Sequence, residues 1–155
     1  MIRKSIMHTM DCTFVVRVPG PDGFTYPMGT GFFVSGEGHF ITASHVIEGV
    51  NDFSKVRFQQ PGGEHVLNIS VIEKWEHLDI ALLKADLDLN QQRFKNAHNK
   101  FLNGRNEFPY LEIDFEHQIE GTPIYTYGFP LSKVSGNERI KFDIFCPRVI
   151  SAIVS

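Results

Sequence analysis

The chain has 155 residues, 42% of them hydrophobic and 21% charged, with a formal net charge of −3. That balance excludes a disordered chain, which is poorer in apolar residues and richer in charge. The net negative charge and the lack of any long run of like charge argue against nucleic acid as a partner.

Residues 1–11 carry Arg3 and Lys4 with no apolar stretch behind them. They read as neither a secretory leader nor a membrane span, so a cytoplasmic location without membrane attachment is expected. Cys12 and Cys146 lie far apart and form neither a disulfide framework nor a metal knuckle; two buried thiols are expected. From residue 12 onward the chain reads as short strands with turn punctuation. Residues 12–18 are β-branched and aromatic, and Pro19-Gly20-Pro21-Asp22-Gly23 interrupts them. Residues 29–34 and 39–42 flank Ser35-Gly36-Glu37-Gly38, a hairpin signal. Further strands are expected at 55–59, at 65–74 after the turn Pro61-Gly62-Gly63, and at 79–84, a nearly continuous apolar run. Six strands at such short spacing fit a small closed barrel or a sandwich.

The pattern changes at Asp86. Leu89, Phe94, Ala97, Phe101 and Leu102 fall near helical spacing with Gly104 as a stop, which predicts a connecting helix. Strands follow at 122–127 and 148–154, with a loop at 131–137 between them. The expected organisation is therefore a first unit over 11–85, a linker over 86–120 and a second unit over 121–155. Two strands cannot bury a core alone, so the second unit reads as incomplete.

Two residues stand out chemically. His45 follows a strand in the tight turn Thr42-Ala43-Ser44-His45, where a firmly held backbone could project the imidazole into a cleft as a general base. Taken alone it is an ordinary surface or core histidine. Asp79 opens the apolar strand Asp79-Ile80-Ala81-Leu82-Leu83, where partial burial would demand a partner such as a histidine N–H. Taken alone it is a turn aspartate satisfied by backbone N–H groups. His65 and His77, with Glu64, Glu73 and Glu76, follow no recurring metal-ligand spacing and are read as exposed strand and turn residues. His117 and Glu116 fall in a polar turn without a signal. Phe32, Phe33, Phe40, Phe53 and Phe58 are read as core. No cofactor or metal is expected.

Together, Gly29-Thr30-Gly31-Phe32, Ile41-Thr42-Ala43-Ser44-His45-Val46 and Asp79-Ile80-Ala81-Leu82-Leu83 resemble the trypsin-like serine peptidases, notably the bacterial HtrA-type branch. Residues 121–130 are similar to the first strand of that family's second barrel and residues 148–155 to its second strand. The resemblance implies an all-β fold of two six-stranded barrels, here the first barrel with the first two strands of the second. It also implies that His45 is the general base, that Asp79 orients it, and that a polypeptide is the substrate.

The family's Gly-Asp/Asn-Ser-Gly-Gly turn, which carries the nucleophile and the oxyanion donors, does not occur in the 155 residues. Ser35, Ser44, Ser132, Ser135, Ser151 and Ser155 read as turn or strand residues rather than nucleophiles. The chain alone is therefore expected to be inactive. Three accounts stay open at this point: part of a longer peptidase, a non-catalytic barrel that binds or scaffolds, or one chain of a split enzyme. Unpaired edges in the second unit would favour self-association or strand exchange.

Overall fold

A computed structural model describes residues 2–61, 63–86, 107–116, 119–129 and 148–153. The predicted helix at 89–102, the loop at 131–137, and Cys146, His117, Ser132, Ser135 and Ser155 lie outside these residues.

The chain begins with a helix where none was expected, α1 (Ile2–Cys12). Its last residue, Cys12, was expected to begin a strand; it is instead fully buried where the helix passes into β1 (Thr13–Pro19). The hydroxyl of Thr13 donates back to the Thr9 carbonyl at 2.7 Å. The Gln60 amide donates to the carbonyls of Asp11 and Thr13 at 2.9 and 3.1 Å. The bonds to Thr9 and Asp11 fall on the last turn of the helix, whose carbonyls lack a full set of partners within it.

The first unit is one antiparallel sheet made of β1, β2 (Thr25–Phe33), β3 (His39–Thr42), β4 (Arg57–Gln60), β5 (Gly63–His65), β6 (Asn68–Trp75) and β7 (Ile80–Asp86). Their order across the sheet is β5-β4-β1-β2-β3-β7-β6. The stretch 65–74, expected as one strand, is divided, so the sheet has seven strands rather than six. Val66 and Leu67 turn the corner, and Leu67 is buried in the core. The corner fixes the shape of the sheet. Flat, seven strands would hold β5 and β6 about 29 Å apart, whereas three Cα–Cα steps from His65 to Asn68 reach at most ~11 Å. The sheet must therefore curl until its two ends meet.

Inside the curl the aromatic residues interlock. Phe14 stacks on Phe58 with ring centres 4.2 Å apart and meets Phe40 edge-on at 5.4 Å. Phe33 stacks on Phe108 at 4.4 Å. Of the expected core residues, Phe33, Phe40 and Phe58 are fully buried, Phe53 packs on the core partly buried, and Phe32 is half-buried. Phe108 arrives from beyond the helix-coded stretch. Its N–H donates to the Gly36 carbonyl at 3.0 Å, and the N–H of Leu111 donates to the Phe33 carbonyl at 2.9 Å. Residues 107–111 thus form a strap across the β2–β3 hairpin. Gly38 in that hairpin has φ +96°, and a Cβ there would lie 2.4 Å from the Ala85 carbonyl oxygen. Only glycine meets both demands.

The second unit contributes β8 (Pro123–Gly128) and β9 (Arg148–Ile153), paired antiparallel from Pro123↔Ile153 to Gly128↔Arg148. It joins the first sheet where the N–H of Phe129 donates to the Thr30 hydroxyl at 3.2 Å. Phe129 is buried at this junction.

Candidate active site

The sheet register brings His45 and Asp79 together. In the β3–β7 pairing Thr42 stands opposite Ala81. Two residues forward on one strand and two back on the other, Ser44 reaches Asp79, and the Ser44 N–H donates to the Asp79 carbonyl at 3.1 Å. His45 comes next, in a 3-10 turn spanning Ser44–Ile47. Val46 and Ile47 are buried and anchor that turn in the core, while the imidazole faces outward. Gly29 on β2 makes room for the anchor, because a Cβ at that position would lie 2.5 Å from Val46 Cγ2.

Asp79 was expected as the first residue of its strand. It lies instead one residue before β7, capping the 3-10 turn Glu76–Leu78 at φ 53° and ψ 42°. It is the one non-glycine residue with positive φ among the described residues. Aspartate tolerates this left-handed conformation better than most residues, and here the bend turns its carboxylate back toward β3. Oδ1 accepts the backbone N–H of His45 at 2.9 Å, and Oδ2 accepts Nδ1–H of its ring at 2.6 Å. The two bonds hold both the position and the rotation of the imidazole. The Asp79 carboxyl is held below its ordinary value, first by the backbone N–H and then by the ring N–H of His45. Burial is not what creates the pair: the side chains are 61% exposed for His45 and 51% for Asp79. The expected partial burial is therefore corrected to a hydrogen-bonded, open site.

With Nδ1–H committed to a carboxylate, a neutral imidazole carries its lone pair on Nε2. No group among the described residues bonds Nε2. The ring borders a depression of about 300 Å3 lined by Ser44, His45, Glu48, Lys74, Glu76 and Asp79. Glu48 and Lys74 had not been singled out from sequence, and Glu76 had been weighed only as a metal ligand. Their signal was proximity in the chain: Glu48 is in the residue after the His45 turn, and Lys74 and Glu76 precede Asp79 closely.

The remaining candidates do not converge. His65, expected to be exposed, is 4% exposed on β5, paired opposite Phe58, because it lies at the corner where the sheet closes. His77 is exposed in a turn, and Glu64 meets Arg17 at 3.3 Å. No group of three or more His, Cys, Asp or Glu side chains is placed to hold a metal among the described residues. Ser35 staples its own hairpin through a 2.7 Å bond to His39 Nδ1. Among the described residues no helix is long and apolar enough to cross a membrane.

The chain is thus a curled antiparallel sheet that carries an oriented histidine in the turn after its third strand. Residues 29–155 match the family described as the trypsin-like peptidase domain, and the chain belongs to that family. Solved structures that share its fold include two proteases. The MamO protease domain from Magnetospirillum magneticum (apo form) superposes with a TM-score of 0.59 at 16% identity, covering 96% of this chain and 62% of that one. The serine endoprotease from Yersinia pestis superposes with a TM-score of 0.65 at 15% identity, covering 100% of this chain and 44% of that one. This chain thus spans less than two thirds of either structure's length. No curated protein matches the sequence significantly.

Proposed function

We propose that this chain supplies the general-base half of a serine peptidase site. The observation that carries the reading is the two-point grip of Asp79 on His45, at 2.9 Å to its backbone N–H and 2.6 Å to its ring Nδ1–H. In the reaction, Nε2 of His45 takes the proton from a serine hydroxyl as that oxygen attacks the scissile carbonyl of a polypeptide. The imidazolium so formed is stabilised by the Asp79 carboxylate. It then returns the proton to the departing amine. Asp79 keeps its negative charge throughout.

The serine and the oxyanion donors are not supplied by any Gly-Asp/Asn-Ser-Gly-Gly segment of these 155 residues. Without a nucleophile to activate, the base has no reaction to promote. The chain alone is accordingly expected to leave unfolded casein intact, while the same sequence joined to a second unit bearing that segment hydrolyses it. In the joined protein His45→Ala lowers kcat/KM by about 10⁴-fold or more. Hydrolysis that survives His45→Ala undiminished would sink this reading and leave a barrel that binds without catalysing.

A further inference from the structure

We infer that α1 and the β8–β9 pair, far apart in the sequence, form one latch on the first sheet that opens as a unit. The inference goes beyond the peptidase reading and does not depend on it. Neither element is built to stand alone. α1 has 11 residues, with no acidic residue in its first turn and no basic residue in its last. Isolated helices shorter than about 12–15 residues are marginal in water, and this one lacks the charges that favour a helix dipole. A two-stranded pair such as β8–β9 is equally marginal. Each is therefore ordered by what it touches. The Nε2–H of His8 donates to the Tyr110 carbonyl of the strap at 2.9 Å. Cys12, one turn further on, is fully buried, and α1 packs against both β1 and β8. Beside it the Phe129 N–H donates to the Thr30 hydroxyl, and the Tyr127 ring meets Phe129 edge-on at 5.8 Å. α1 thus bridges the strap, the first sheet and β8, so its loss bares a side of β8.

The joint closes over a fault. Tyr127 is half-buried, but its hydroxyl is turned inward and has no hydrogen-bond partner among the described residues. Burial, and then the negative charge of Asp11 at the end of α1, push this phenol up to about 12. An unpaired buried hydroxyl works against the closed state and is relieved when water reaches it. No other buried side-chain oxygen or nitrogen among the described residues is left in this way. The weakest seam of the fold therefore runs between α1 and β8, and it opens before the first sheet does. Because each element is marginal without the other, opening the seam releases both.

Native-state amide hydrogen exchange on the full chain, in urea below the main unfolding transition, tests the proposal. The Cys12 and Phe129 amides should exchange through one opening with a shared urea dependence. Val34, whose N–H donates to the His39 carbonyl within the first sheet, should be protected more strongly. His8→Ala should speed exchange at Cys12 and Phe129 by the same factor, about three- to ten-fold, and leave Val34 unchanged. Tyr127→Phe removes only the unpaired hydroxyl and should slow exchange at both by about five-fold or more. Separate openings at Cys12 and Phe129 would overturn the proposal. So would an effect of His8→Ala confined to α1, or a Tyr127→Phe variant that exchanges at the original rate or faster. Should His8→Ala speed Val34 as well, the whole chain has loosened, and Tyr127→Phe then decides the matter alone.

Discussion

Asp79 combines two properties that are separable by substitution: a left-handed backbone and a carboxylate. Asn tolerates the same backbone conformation, so Asp79→Asn should leave the turn in place while removing the charge that orients and stabilises His45. In a protein joined to its nucleophile segment, the expected loss in kcat is about 10⁴-fold. A loss below tenfold would mean that Asp79 only shapes the turn. The same carboxylate also affects acid stability. Its folded value is depressed, so its contribution is complete above the unfolded carboxylate value of about 3.9 and is lost as pH falls through the folded value. Asp22 and Asp52 are lowered too, by the Tyr26 hydroxyl and by Ser54 respectively. Asp79→Asn should therefore remove only part of the acid sensitivity. Melting curves taken downward from about pH 5 should fall less steeply for the variant; parallel curves would show that the bonds to His45 contribute nothing to folding.

Among the elements, the β2–β3 hairpin and its strap carry the most weight, because the hairpin holds β3, whose pairing with β7 aligns His45 with Asp79. Phe108→Ala would open a void against Phe33 and should cost about 3–5 kcal/mol in urea unfolding. A cost under 1 kcal/mol would show that the strap merely lies on the surface. Gly38→Ala adds backbone strain to a clash with the Ala85 carbonyl, for an expected loss of about 2–4 kcal/mol. Gly29→Ala acts on the site instead. A methyl pressed against Val46 should displace the Ser44–Ile47 turn, seen as a shifted His45 ring signal in a protein that still folds. The elements legible in the sequence were those with a local signature. The Ser35–Gly38 turn, the end of β3 at His45, and the apolar run after Asp79 each declare themselves within a few residues. The elements missed depend on distant partners. The corner at Val66–Leu67 exists because the sheet closes, and Phe108 is core only because Phe33 lies beneath it; α1, by contrast, does carry a legible stripe, Ile2, Ile6 and Met10 at every fourth residue. Glu48 likewise adjoins His45 in the sequence, whereas only the β3–β7 register brings Glu76 to the same depression.

At the scale of the whole molecule, the fold divides the chemistry. One curled sheet presents a histidine held by a carboxylate, and the adjoining β8–β9 pair is anchored to it through Phe129 and Thr30. The chain alone should show no casein hydrolysis, and a fluorophosphonate probe for activated serines should fail to label it; labelling of any serine in these 155 residues would place the nucleophile where none is assigned. The most direct measurement concerns His45 itself and needs only this chain. Long-range ¹H–¹⁵N correlation of the His45 ring, in mildly alkaline solution, reports which nitrogen holds the proton. The account predicts a protonated Nδ1 and a bare, pyridine-like Nε2. A ring protonated at Nε2 with Nδ1 bare would contradict it, since the lone pair of His45 would then face the Asp79 carboxylate and not a serine.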